Sequence, residues 1–261
     1  MNFKVCIKQV PDITAPIKIR DGELIMETDR MVLDAYSASA VEESLVLTEE
    51  HGGDVEVISI GPDKAKETIR KALAMGAKNA THIVTDDDAE YDSATFAKIL
   101  AAHFKNNAEY DVIALGKQSQ DTDAGLTGSM LAELLDLPYA TNAVALKMDP
   151  ENKKLIVTRQ ADTAQEVIEL SVPCIVTCSN DMNNPRIPSL KGIMQSKRKP
   201  VETVQLTDIG LDGGQLGSEA HTSIVGYEDM PEREPGKKFE GEPEELAKQL
   251  VDLLDNEAKV L

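Results

Sequence analysis

The sequence predicts an α/β protein: an open, mostly parallel sheet with helices on both faces, an added antiparallel portion and a C-terminal arm. Three observations predict it. Over the first half, short apolar runs alternate with segments whose apolar residues recur at helical spacing. Crossovers of that length build a parallel sheet covered on both faces. After Pro138 the helical segments stop, and four apolar runs follow one another across short polar turns, as antiparallel strands do. From about residue 200 the chain is rich in Gly, Pro and acidic residues, and it ends in an amphipathic run. The expected division is 1–200 for the α/β domain and 201–261 for the arm and its terminal helix.

Each element has its own signal. "FKVCIKQV" (3–10) is a near-continuous apolar strand, and "IKIRDGELIM" (17–26) is two short strands around the turn pair Asp21-Gly22. "DAYSASAVEESLVLTEEHGG" (34–53) is a helix, with Ala38, Val41 and Leu45 at helical spacing and Gly52-Gly53 as its stop. Strand 54–61, helix 63–77 and strand 80–87 follow. Helix 92–107 has Asp92 as its N-cap, and strand 110–116 leads towards helix 125–136. The antiparallel strands are "ATNAVALKMD", "KLIVTRQ", "AQEVIEL" and "CIVTCS". In the tail, Leu246, Leu250, Leu253 and Leu254 form one apolar stripe.

Charge and composition exclude several classes. A net charge of −19 opposes nucleic acid or an anionic membrane as the main partner, and 3% aromatics with no Trp leaves no stacking platforms for bases. No apolar run approaches the ~20 residues that span a bilayer, so no membrane insertion is expected. "MNFKVCIKQV" reads as a strand rather than a leader, which points to a cytoplasmic protein. Cys6, Cys174 and Cys178 are an odd count in apolar runs, the pattern of buried thiols, and the four histidines have no ligand spacing with them. No metal site is expected.

The chemistry-bearing stretch is "YDVIALGKQSQDTDAGLTGSMLAELLDLPYA" (110–140). Its loop, 116–127, lies at the carboxyl end of a buried strand and leads into a helix N-terminus. Ligands of open parallel sheets sit there, and free N–H groups with the helix dipole favour an anion such as phosphate. Gly116, Gly125 and Gly128 allow close backbone approach, or serve only the turn and helix packing. The glycine spacing is neither that of a Walker A loop nor GxGxxG. Asp121 and Asp123 read as solvated or capping carboxylates, or as a general base pair. The latter would make the protein a nucleotide-dependent hydrolase or ligase. A nucleotide-sensing module of the stress-protein kind is a second rival.

Longer motifs carry a resemblance. "VCIKQVPD", "AVEESL", "ETIRKALAMGAKNATHI", "GKQSQDTDAGLTGSMLAELLDLP" and "NNPRIPSLKGIMQSKRKPVETVQLTDIGL" resemble the beta (small) subunits of electron-transfer flavoproteins over nearly the whole chain. The resemblance implies a Rossmann-like, adenine-nucleotide-binding fold and a heterodimer with an alpha subunit that carries FAD. It implies an electron carrier rather than an enzyme, moving electrons from flavin-dependent dehydrogenases to a quinone oxidoreductase or other acceptor. The beta subunit buries AMP or, in the electron-bifurcating branch with NADH as donor, a second FAD. Bifurcating members typically read Asp-Gly-Asp-Thr and then Val-Gly-Pro in the loop. "QDTDAGLTGSM", with Thr-Gly, resembles the AMP-binding branch.

The implied nucleotide site is Cys6, Asp34, Ala35, Tyr36, Ser37, Ile60, Gly116, Gln118, Asp121, Thr122, Asp123, Ala124, Gly125, Leu126 and Thr127. Many members have Asn-Pro-Phe/Asp where this chain has "LDAYSAS". In "NNPRIPSLKGIMQSKRKP", Pro185 and Pro188 oppose regular structure, and the Lys/Arg cluster reads as a solvated surface helix or a partner site. The resemblance makes 184–193 the segment that docks the dehydrogenase, with Pro185, Arg186, Ile187, Leu190 and Lys191 as its contacts and Leu190 as the anchor.

Overall fold

The structure, a computed structural model, describes residues 1–26, 30–86, 91–107, 109–231, 235–236 and 238–261. The first apolar run makes strand β1 (Asn2–Ile7), buried from Val5 to Ile7 because both its faces are covered. The run does not continue as one strand to residue 10. At Lys8 the chain leaves the sheet: its N–H donates to Ser37 Oγ and its carbonyl accepts from Asp34 N–H. β2 (Gln9–Pro11) then pairs antiparallel with β5 (Met31–Leu33), a separate two-stranded ribbon. Between them, β3 (Ile17–Arg20) and β4 (Glu23–Met26) form the expected hairpin, with Asp21 and Gly22 both at positive φ.

The crossovers follow. α1 (Ala35–His51) leads to β6 (Asp54–Gly61), and a 3₁₀ turn with α2 (Lys66–Met75) leads to β7 (Asn79–Val84). The last residue expected in that strand, Asp87, lies outside the described residues. α3 (Ser93–Asn106) is N-capped by Asp92, whose carboxylate accepts from the Thr95 N–H, and it leads to β8 (Val112–Gly116). α4 (Thr127–Leu135) starts two residues later than its periodicity suggests. Then come β9 (Tyr139–Asp149), β10 (Lys154–Gln160), β11 (Gln165–Ser171), β12 (Cys174–Cys178), α5 (Leu190–Ser196) and β13 (Val201–Gln205).

Nine strands form one sheet in the order β11-β10-β9-β12-β8-β1-β6-β7-β13. All neighbours from β9 to β13 are parallel, so β12, expected among the antiparallel strands, instead lies in the parallel core between β9 and β8, and β10 and β11 alone add the antiparallel edge. Helices α1 and α2 cover one face, packing residues such as Leu45 and Leu73 over Val5 and Val57 of the sheet. Helices α3 and α4 cover the other, packing residues such as Ile99 and Leu131 over Ile58 and Ile113. Period-2 burial along β1 divides the two clusters: Phe3, Val5 and Ile7 face the first, and Cys6 the second.

The boundary expected at residue 200 moves. β13 is a parallel edge strand on β7, and Leu216 of α6 (Gly213–Ser218) is buried in the α3 and α4 cluster. The chain divides into Met1–Gly226 and Tyr227–Leu261. Pairing with an existing edge satisfies a row of β7 backbone groups, which composition does not reveal. The second unit carries α7 (Pro243–Asp252), continued by a π turn at Leu253–Glu257, and no residue of these two elements is buried. No helix among the described residues is long and apolar enough to cross a membrane.

Candidate nucleotide site

From β1 the chain crosses to β6 and β7 on one side, then returns to β8 on the other. The carboxyl ends of β1 and β8 therefore flank a topological switch point, where an open sheet leaves a crevice. Three pieces of chain meet there: the N-terminus of α1, the loop 117–126, and the N-terminus of α4.

Asp34 joins the first two. Its Oδ2 accepts from Ser37 N–H at 2.8 Å and from Ser37 Oγ at 2.9 Å, capping α1. Its Oδ1 accepts from Gln120 N–H at 3.0 Å, and Gln120 Oε1 accepts from Ala35 N–H at 2.8 Å. Burial raises the Asp34 carboxyl above its usual range, partly opposed by these donors. Gly116 lets the helix come this close. A Cβ at residue 116 would lie 2.7 Å from Tyr36 Cβ and 3.0 Å from Ser37 N.

The loop is braced internally. Ser119 N–H donates to Ala124 O at 3.1 Å, Asp123 N–H to Ser119 O at 2.9 Å, and the Ser119 and Thr122 hydroxyls lie 2.9 Å apart. Asp123, at φ 53°, accepts from the Gln118 amide at 2.8 Å. Asp121 takes both carboxylate oxygens to Lys8 Nζ, at 2.8 Å each. Lys8, Ser119 and Gln120 thus tie this crevice together and are absent from the sequence-derived set. No local signal marks Lys8, since Lys4 stands in the same apolar run and the Lys8 partner is 113 residues away. Both loop aspartates are engaged as ties rather than poised against a third group. Among the described residues no cluster of three or more His, Cys, Asp and Glu is placed to hold a metal ion.

Beyond the braced turn, residues 121–126 are exposed. α4 begins with no side-chain cap and no acidic residue in its first turn. Its N–H groups keep their partial positive charge, which suits a phosphate. Tyr36 lies beside the Lys117 ammonium, 5.5 Å from its ring centroid. Ile60, next to last in β6, is packed against the α3 and α4 cluster, and Cys6 is buried in β1.

Burial pushes all three thiols up, Cys174 to about 12. A protonated, buried thiol is a poor nucleophile. Iodoacetamide applied to the native protein at pH 8 is therefore expected to leave Cys6, Cys174 and Cys178 unmodified by peptide mass mapping, and to label all three after denaturation. Rapid labelling of any of them in the native state would contradict the burial argument.

The residues expected to dock a partner lie elsewhere. Segment 184–188 has no regular structure, as its prolines require, but Ser189 then caps α5 by accepting from Gly192 N–H at 3.1 Å. The segment runs along α1 at Glu42 and Glu49, and α1 rises about 22 Å from Asp34 to Glu49. Ile187 (92% exposed), Leu190 (76%) and Met194 (65%) present an apolar face, with Lys191 exposed beside them. Pro185 and Arg186 are half-buried instead, and Arg186 is spent on α1 carboxylates.

Comparison with known proteins places the chain in context. The family described as "Electron transfer flavoprotein domain" matches residues 23–209. The chain is 34% identical to the electron transfer flavoprotein subunit beta of Bacillus subtilis, over the full length of both. It is 34% identical to the subunit of the same name from Thermoanaerobacterium thermosaccharolyticum, over 98% of each chain. It is 36% identical to the caffeyl-CoA reductase-Etf complex subunit CarD of Acetobacterium woodii, over 86% of each.

Proposed function

The chain belongs to the electron transfer flavoprotein beta-subunit family, and on that premise we propose that it pairs with an alpha subunit, holds a structural AMP in the switch-point crevice and docks a flavin-dependent dehydrogenase through 184–193. Beta subunits of this family are electron-carrier subunits. The observation that carries the nucleotide reading is the uncapped first turn of α4 behind an exposed loop braced to α1. Gly125, Leu126 and Thr127 supply N–H groups to the phosphate, and Thr127 also a hydroxyl. Gln118 and the span from Asp121 to Ala124 shape the loop, Asp34 to Ser37 form the opposite wall, and Cys6 and Ile60 lie towards the adenine. AMP brings no reaction of its own. The electron-carrying FAD belongs mainly to the alpha subunit, and a quinone oxidoreductase or other acceptor receives its electrons.

A second FAD in place of AMP, with NADH as donor, is the alternative. The Thr127-Gly128 pair at the start of α4 supports AMP. Denaturing the purified heterodimer and separating the released nucleotides distinguishes the two. One FAD and one AMP per heterodimer is the expected result; two FAD and no AMP would replace the AMP assignment.

The second unit, Tyr227–Leu261, is the arm in this reading, and the stripe of Leu246, Leu250, Leu253 and Leu254 packs on the alpha subunit. Truncation after Gly226 is expected to weaken subunit association at least tenfold in sedimentation, while circular dichroism of the α/β unit stays native. Undiminished association would remove the arm assignment.

A further inference from the structure

The apolar docking face stands on a short helix of seven residues, too short to hold its own shape in water. The structure supplies the rigidity from outside. On the N-terminal side, Arg186 forks across two carboxylates of α1. Its Nε donates to Glu42 Oε2 at 2.9 Å, and its remaining nitrogens reach Glu49 Oε1 at 2.6 Å and Glu49 Oε2 at 3.1 Å. The Arg186 backbone N–H also donates to Glu42 Oε2, at 3.0 Å. Asn183 Nδ2 adds bonds to Ser39 O at 3.1 Å and Glu43 Oε2 at 3.0 Å.

On the C-terminal side, two cations hold backbone carbonyls. Lys199 Nζ donates to Leu73 O at 2.9 Å and Ala77 O at 2.5 Å, at the end of α2, and Arg70 of α2 donates to Ser196 O and, at 2.9 Å, Lys199 O. Between these ties α5 lies directly on α2. A Cβ at Gly192 would fall 2.5 Å from Ala74 O, so only glycine fits the approach. Arg186 and Lys199 are therefore directed inward, whereas Lys191, Lys197 and Arg198 remain at the surface.

We infer that the Arg186 fork onto Glu42 and Glu49 is a positioning device, which holds Ile187, Leu190 and Met194 in their docking arrangement before any partner arrives. This inference rests on the docking reading given above. Its physical content is preorganisation: a segment already ordered loses less conformational freedom on association, and any disordered fraction lowers the apparent affinity in proportion. Arg186 touches no partner in this account. Glu42 is almost fully buried, so its charge depends on the guanidinium for compensation.

The test uses the complete flavin-loaded heterodimer and a flavin-dependent acyl-CoA dehydrogenase that reduces it. Arg186→Gln, Glu49→Gln, Leu190→Ala and the double variant Arg186→Gln/Leu190→Ala are compared. Glu49→Gln breaks only the exposed half of the fork, so it covers the case in which Arg186→Gln, leaving Glu42 buried and unpaired, fails to fold. Amide hydrogen exchange over residues 187–196 is expected to quicken about tenfold in Arg186→Gln, less in Glu49→Gln, and not in Leu190→Ala. The apparent KM for the flavoprotein is expected to rise about tenfold in Arg186→Gln with kcat unchanged, and in the double variant to rise by less than the product of the single effects.

Faster exchange with an unchanged KM would overturn the inference, as would a raised KM with unchanged exchange, which would make Arg186 a direct contact. If Leu190→Ala itself leaves KM unchanged, the docking reading fails and the positioning role falls with it. A normal response to Leu190→Ala with none to Arg186→Gln overturns the positioning role alone.

Discussion

A heterodimer carrying Leu190→Ala is expected to need roughly thirtyfold more flavoprotein to reach half-maximal rate in a dehydrogenase-coupled assay. Leu190 is three-quarters exposed at the first position of α5, flanked by Ile187 and Met194. Truncating such an anchor at the centre of a small interface costs roughly 2 kcal/mol or more. The side chain is on the outside of this subunit, so removing it leaves no internal cavity, and thermal stability is expected to stay within about 0.5 kcal/mol of wild type. Direct chemical reduction of the flavin should be unaffected. Charge reversal at Lys197 and Arg198 should act differently, by lowering the association rate and its salt dependence, since exposed rim charges steer encounter. Wild-type docking by Leu190→Ala would reduce 184–193 to a surface turn.

The largest effect at the other site is expected from Gly116→Val. The added Cβ lands 2.7 Å from Tyr36 Cβ and 3.0 Å from backbone atoms of the first turn of α1, which no side-chain rotation relieves. The helix terminus has to move, and overpacking of this kind costs about 1–3 kcal/mol. The same movement breaks the link from Asp34 to Gln120, because both ends of that link cannot follow one wall of the crevice. Nucleotide released on denaturation of the variant is expected to fall at least tenfold relative to wild type, while the FAD of the alpha subunit is retained. A stoichiometric yield of AMP from Gly116→Val would show that the nucleotide does not depend on this approach. A fall in FAD with AMP retained would mean that the two sites were assigned the wrong way round.

Much of this was legible before any coordinate. The alternation of apolar runs with helical-period segments identified the crossovers, and the pair Asp21-Gly22 marked its hairpin because a tight hairpin turn favours positive φ there. Asp92 announced the start of α3 by the local chemistry of an N-cap. The placement of loop 116–127 was readable because a buried strand ending before a helix start is a local pattern. The motif around Leu190 was likewise visible, since prolines followed by exposed apolar residues are read within one short stretch.

Local pattern stops where partners are distant in the chain. Lys8 meets Asp121 across 113 residues, and Arg186 meets Glu42 across 144. Nothing near either residue distinguishes a tied cation from a solvated one, so Arg186 read as a partner contact and Lys8 went unnoticed. The boundary at 200 failed for the same reason: β13 joins the sheet because β7 offers it an edge, and that edge exists only once β7 has paired with β6. The sequence by itself determined most of the strands and helices of the crossovers, several of the turns between them and which loop stands between a buried strand and a helix start, because dihedral preference and apolar periodicity act over a few residues. Only the tertiary structure decided which strands are neighbours, which charges are paired and which face is left open, because those depend on groups that come together only when the sheet has closed.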